Sequence, residues 1–251
     1  MKLITKNVHI KFYGSLKDFL PQKFKKVINH QFIDVTSVKD LIEGFNVPHT
    51  EVDIILVNGK SVNFDYLIND GDEIKVYPPD NKLKSKNLRH LYNRIRGKPK
   101  FICDVNLGGL AKNLRKLGLN VFYSNSISDD EIVKISIQSK IIVLTKDIGI
   151  LKRKDVQYGY YVRNVYPQKQ TIEVLKVFSV GKYIEPFSRC LECGTKLKRI
   201  SREKAKSKLP DHFFEKQMKF YHCPTCDKIY WQGSHFERMS SQINKFLRAI
   251  K

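Results

Sequence analysis

Two Cys-x-x-Cys pairs, Cys190 with Cys193 and Cys223 with Cys226, constrain this chain more than any other feature of its sequence. The 29 residues between Cys193 and Cys223 are more than the commonest metal ribbon needs, so a helix or hairpin is expected there. Two such knuckles supply four thiolates, the donor set of tetrahedral Zn²⁺, and four protein ligands make the ion's role structural. A redox role for two vicinal pairs in a small basic module is the weaker reading. The fifth cysteine, Cys103, stands apart and reads as a core residue. Metal-type pairs within an odd cysteine count point to a reducing compartment. The opening MKLITKNVHIKF has no long apolar stretch and no small-residue cleavage site, and no apolar run of about 18 residues occurs. The expectation is a cytoplasmic protein with no membrane partner.

The 251 residues suggest two domains with room for a small third module, and a hydrophobic fraction of 41% is enough for packed cores. The net charge of +21 is unevenly spread. Residues 1–80 are almost neutral, whereas residues 82–100 hold eight basic side chains and no acid. Residues 101–251 hold the rest of the excess. Neutralising phosphates releases counterions, so a polyanion is the natural partner of the basic part, and nucleic acid is favoured over an anionic membrane.

Residues 1–80 read as strand, strand, helix, strand, strand, the order of a β-grasp α+β domain. Val8, Ile10 and Phe12 alternate with polar residues, and a second strand is expected over 27–33. Ser37 caps a helix over 38–45, Asn58-Gly59 is a tight hairpin turn after a strand over 53–57, and a last strand covers 74–77. The stretches FYGSLKDFL (12–20), ILVNGK (55–60) and DGDE (70–73) resemble the ubiquitin-like sulfur carriers of molybdopterin and thiamine synthesis. Those carriers end in a free Gly-Gly; here Tyr77-Pro78-Pro79-Asp80 runs on into further chain, so the expected role is docking or regulation through a protein or ribosome partner. Residues 81–100 form a basic linker or phosphate-tracking arm, and Leu88, Leu91, Tyr92 and Ile95 have helical spacing.

Residues 101–186 alternate strands and helices, which implies a parallel sheet covered by helices. Asp104 ends the first strand, Asp129 and Asp130 open the helix after the second, and Asp147 follows the third. Ligands of open parallel sheets sit at the C-terminal strand edge. Acids converging there suit Mg²⁺ or Mn²⁺, which can activate water against a phosphodiester. Each acid also has a plain reading, as a helix cap or a strand end. Lys112, Arg115, Lys146 and Arg153 flank that edge and are candidate phosphate contacts. In the last piece, 187–251, Trp231, His235 and Phe236 can stack on a nucleotide or pack a ribbon. A basic tail is expected after them.

The stretches FICDVNLGGLAKNLRKLG (101–118), LTKDIGIL (144–151), FSRCLEC (187–193) and YHCPTCDKIYWQGSHFERM (221–239) together resemble the Mut-seven C-terminal family of PIN-like ribonucleases, many of which carry a β-grasp domain in front. The resemblance implies a PIN-like parallel-sheet domain over 101–186 followed by a zinc ribbon. It also implies that Asp104, the Asp129/Asp130 pair and Asp147 are metal-binding acids of a ribonuclease. Two positions depart from it: Gly109 stands where the family usually has a basic residue, and Asn125 where an acid is frequent. The alternative is an RNA- or ribosome-binding protein that has kept the fold without turnover.

Overall fold

The computed structural model describes residues 5–210, 214 and 219–250. They form two compact units. The first comprises Met1–Arg94 and Asp147–Tyr161, and the second Ile95–Lys146 and Val162–Lys251.

In the first unit, β1 (Lys6–Phe12) and β2 (Ile28–Phe32) form an antiparallel pair, and α1 (Val38–Gly44) follows. Strands β3 (Ile54–Val57), β4 (Lys60–Val62) and β5 (Glu73–Tyr77) complete a sheet of order β2-β1-β5-β3-β4, with β1 and β5 parallel. This is the expected β-grasp. Strand β4 is additional, and Asn58 and Gly59, both at positive φ, make the turn into it. Alternation builds the core: Val8, Ile10 and Phe12 of β1 and Ile74 and Val76 of β5 meet Val38, Leu41 and Ile42 of α1. The Ser37 hydroxyl caps α1 by accepting from the Asp40 amide at 3.1 Å.

The basic segment, whose apolar residues have helical spacing, forms no helix. Residues 81–94 belong to the first unit and run without helix as a strap across it. The Leu91 amide donates to the Asp53 carbonyl at 2.7 Å, and the Leu91 side chain packs on the β-grasp core. Asp53, only 1% exposed, holds the strap with its carboxylate, which accepts from the Tyr92 amide at 3.3 Å and from Asn81 Nδ2 at 3.3 Å. His90 Nδ1 lies 2.8 Å from the same group, and the Arg89 amide reaches Ser61 Oγ at 3.0 Å. Burial, and then the nearby Glu51 and Asp53, push the Tyr92 phenol up to about 12. Helical spacing of apolar residues did not produce a helix because the backbone donors found fixed acceptors on the neighbouring strands. The eight basic side chains of residues 82–100 are all exposed.

The second unit opens with β6 (Lys100–Cys103), α2 (Gly108–Lys116), β7 (Asn120–Phe122), α3 (Asp129–Ser139) and β8 (Ile142–Thr145). Strand β6 is central and parallel to both neighbours: Phe101 faces Val121 of β7 and Ile142 of β8 in register. All four residues of β8 are buried, as expected of a parallel strand covered on both faces. Buried Cys103 sits in this core, where desolvation pushes its thiol far above the usual range. The chain then contributes α4 (Ile148–Lys152) and β9 (Gly159–Tyr161) to the first unit, where the Tyr161 amide donates to Glu51 Oε1 at 2.7 Å.

Helix α5 (Pro167–Val177), packed on α2, rejoins the second unit. Between the two cysteine pairs lie β10 (Lys198–Ile200), α6 (Arg202–Lys206) and β11 (Phe220–His222), and β12 (Ile229–Trp231) completes an antiparallel sheet of order β10-β11-β12. A 16-residue helix, α7 (Ser234–Ala249), stands where a basic tail was expected. Its Ile243 and Phe246 are buried and it packs on α5.

Candidate functional site

The four cysteines of the two knuckles come together, as their spacing implied. Their sulfur atoms all lie within 4.8 Å of one another. Sulfur separations of 3.4 Å (Cys190 to Cys226), 3.3 Å (Cys193 to Cys223) and 3.9 Å (Cys193 to Cys226) bracket the ~3.8 Å edge of a tetrahedron with ~2.3 Å zinc–sulfur bonds. The knuckles share a local design. In each, the residue after the second cysteine takes a left-handed backbone: Gly194 at φ 78° and Asp227 at φ 59°. At Gly194 a Cβ would lie 2.7 Å from the Val121 carbonyl, so glycine is required. Asp227 is fixed instead through its carboxylate, which contacts Lys208 and lies 2.6 Å from His222 Nε2. Burial raises the Cys190 thiol, but amide hydrogen bonds and the Tyr230 hydroxyl outweigh it and hold the group at about 6. Burial and the neighbouring sulfurs push Cys226 up to about 12. Four crowded sulfurs that cannot all ionise alone are a cage suited to a soft cation, whose role with four protein ligands would be structural.

The acids are placed less uniformly. Asp104 follows β6 at the C-terminal edge of the sheet and is 4% exposed. Its Oδ2 accepts from the Thr145 hydroxyl at 2.8 Å, and its amide donates to the Leu144 carbonyl at 3.0 Å. Thr145 was not singled out in the sequence, although a hydroxyl at the end of a fully apolar strand was a signal. Asp129 and Asp130 are exposed in the first turn of α3. There a capping box is formed by Ser128 and Glu131, whose carboxyl is held below its ordinary value by the Ser128 amide and hydroxyl. Asp147, exposed and within the first unit, caps α4 by accepting from the Gly149 amide at 2.6 Å. Among the described residues, no three carboxylates are gathered as the four sulfurs are.

The expected phosphate contacts divide. Lys112 and Arg153 are exposed; Lys146 is half-buried, with Nζ 3.4 Å from the Arg163 carbonyl. Arg115 is not a phosphate ligand. It is 3% exposed, and its guanidinium donates to the carbonyls of Val121 (3.2 Å), Tyr123 (3.4 Å), Leu191 (3.2 Å) and Glu192. A fork of five donors can satisfy several carbonyls at once, and here it pins β7 to the first cysteine knuckle. Desolvation lowers its pKa, and the neighbouring Cys103 and Cys193 partly offset that. Trp231 packs against the small core of Ala205, Phe214 and Phe220, and the Phe236 ring lies 4.4 Å from that of Phe187. Both aromatic side chains are half-buried in these contacts, while His235 is exposed.

Gly109 now has a physical reason. A Cβ there would lie 2.7 Å from Pro167 Cγ, so the start of α2 has no room for the basic side chain usual in the family that the sequence resembles.

Among the described residues no helix is long and apolar enough to cross a membrane. No curated protein matches the chain. The family model described as the Mut7-C RNAse domain matches residues 99–243, and that described as Mut7-C ubiquitin matches residues 5–84. The first match spans the second unit's parallel sheet and both cysteine pairs, and it suggests a nuclease-type function with RNA as the substrate class. A β-grasp domain, a parallel sheet with an acidic edge and a cluster of four cysteines thus occur together in a chain that belongs to the Mut7-C RNAse family and carries that family's ubiquitin-like domain.

Proposed function

We propose that this protein is a metal-dependent ribonuclease whose reaction is centred on Asp104. The observation that supports this reading is a nearly buried carboxylate at the C-terminal end of a central parallel strand, oriented by Thr145, in a chain with an RNAse family match. Asp104, Asp130 and Asp147 would hold Mg²⁺ or Mn²⁺, with Asp129 beside them; their oxygen donors suit a hard cation. Such an ion, when bound, polarises a phosphodiester and lowers the pKa of water. The residues' own contribution is placement. Thr145 fixes the Asp104 carboxylate, and Lys112, Lys146 and Arg153 supply positive charge for the RNA backbone. The cysteine cage holds structural zinc and keeps the C-terminal module folded. The β-grasp domain serves as a docking module for a protein or ribosome partner.

One observation favours a second reading, an RNA-binding protein without turnover: Asp129, Asp130 and Asp147 all sit in capping turns. Labelled total RNA incubated with Mn²⁺ or Mg²⁺ separates the two. The first reading expects metal-dependent products from wild type and none from Asp104→Asn. Absence of products from both, with RNA still bound by both, establishes the second.

A further inference from the structure

The loop that enters α5 passes the same sheet edge as Asp104. The Val162 amide donates to the Thr145 carbonyl at 2.8 Å, and Thr145 is the residue that holds Asp104. Two side chains of this loop, Val165 and Tyr166, stand in water at 73% and 65% exposure. Exposed apolar side chains are ordinary on a floppy loop, but this loop is tied down. Glu173 Oε1 accepts from the Arg163 amide at 2.8 Å, and its Oε2 accepts from the Asn164 amide at 3.0 Å and from Asn164 Nδ2 at 2.7 Å. Gln170, itself 3% exposed, donates through Nε2 to the carbonyls of Asn164 at 3.0 Å and Val165 at 3.2 Å. Pro167, the first residue of α5, closes against Gly109 and so sets the loop beside the start of α2. Two buried or half-buried polar side chains of α5 are thus committed to presenting Val165 and Tyr166 outward. A rigid mount for exposed apolar groups is the mark of a binding surface.

The charge around it selects the ligand. Lys169 Nζ lies 5.8 Å from the centre of the Tyr166 ring, and Lys112 of α2 is exposed. Glu173, the acid nearest in sequence, has both oxygens engaged by loop donors. An aromatic ring with an ammonium group beside it matches an unpaired base and its phosphate. A duplex keeps its base faces stacked internally and offers nothing to such a ring.

We infer that Tyr166, with Val165 beside it, is a stacking platform for an unpaired base of single-stranded RNA at the Asp104 edge, and that Lys169 holds the neighbouring phosphate. The inference rests on the RNA-directed reading given above and adds to it a preference for unpaired strands. Fluorescence anisotropy with the zinc-loaded full chain, without added Mg²⁺ or Mn²⁺, tests it. The probes are a labelled oligoadenylate strand and the same strand annealed to oligouridylate. Tyr166→Ala should weaken single-strand binding roughly 5- to 150-fold, the loss expected for one stacked base. Tyr166→Phe should keep it, and duplex binding should be unchanged by either substitution. Equal single-strand affinity in Tyr166→Ala and wild type overturns the inference, as does equal loss for strand and duplex. Tyr166→Gln and Val165→Ser repeat the comparison should Tyr166→Ala melt early.

The cleavage assay keeps the two ideas apart. Wild type that fails to cleave while Tyr166→Ala loses single-strand binding leaves the platform standing and removes hydrolysis. Cleavage by a protein whose strand binding ignores Tyr166 does the reverse.

Discussion

The Thr145 hydroxyl donates to Asp104 Oδ2 at 2.8 Å, tying together the ends of two adjacent parallel strands whose residues lie 41 positions apart in sequence. Thr145→Val keeps the shape and removes the donor, leaving a nearly buried carboxylate with an unmet hydrogen bond. We expect it to cost about 1–3 kcal/mol in a denaturant titration. If Asp104 carries the reaction, cleavage should fall about 10- to 100-fold, as it does when a partner orienting a metal ligand is lost. Thr145→Ser should restore both.

Arg115 is expected to behave as a structural residue. Arg115→Lys retains the charge but cannot span four carbonyls, so the melting temperature should drop and zinc should leave faster in a chelator competition. RNA affinity at a temperature where the variant is folded should stay within about twofold of wild type. A large affinity loss without a stability loss would restore Arg115 to the phosphate contacts.

Zinc removal should uncouple the cysteines. Under native conditions a chelator should render four thiols reactive to a disulfide reagent, while buried Cys103 stays silent until the chain is unfolded. A fifth fast thiol would mean that the parallel sheet opens together with the metal cage. Circular dichroism on the same sample should show partial rather than complete loss of structure, because the β-grasp core contains none of the cysteines.

Gly109→Lys would restore the basic residue usual in the family, yet we expect it to harm the protein. The new Cβ meets Pro167 Cγ at 2.7 Å, and the required shift should cost about 1–3 kcal/mol. Thermal melts of Gly109→Ala and Gly109→Lys decide the matter: both should lie below wild type, and a stabilised Gly109→Lys would refute the steric account.

The strap offers a proteolytic test. Asp53→Ala removes the carboxylate that holds Asn81, His90 and Tyr92, so trypsin should nick residues 82–94 faster than in wild type. Spectrophotometric titration adds a pH check. A phenol raised by burial contributes stability that is whole below its ordinary value of 10 and is lost as pH rises through the folded value of about 12. Tyr92 should therefore ionise late in wild type and near the ordinary value once the strap is released.

What was legible in the sequence was local chemistry with a short reach. Strand alternation at Val8, Ile10 and Phe12, the Ser37 cap, the Asn58-Gly59 turn and the two cysteine knuckles all carry their instructions within a few residues. The role of Arg115 is not legible there because its partners, the carbonyls of Leu191 and Glu192, lie more than 70 positions away, and a charge on a helix face looks solvated until its neighbours are known. The course of the strap is hidden for the same reason: its apolar residues have helical spacing, but the carbonyl and carboxylate of Asp53 decide where it runs. The α7 helix was visible in principle, since Phe236, Met239, Ile243 and Phe246 recur at helical intervals. The acidic edge was half legible. Strand ends placed Asp104 at the edge, but nothing in one sequence says whether four carboxylates meet.

The first compact unit draws its last strand from residues 159–161, well after the β-grasp sheet has been spelled out. During synthesis, then, the N-terminal sheet can form early, while α4 and β9 can join its unit only after residues 95–146 have emerged. The two units are interleaved in the order of translation, and neither is a finished object when the ribosome begins the other. Splitting the gene at the end of the β-grasp would leave the N-terminal fragment short of residues 147–161, which the other fragment would encode.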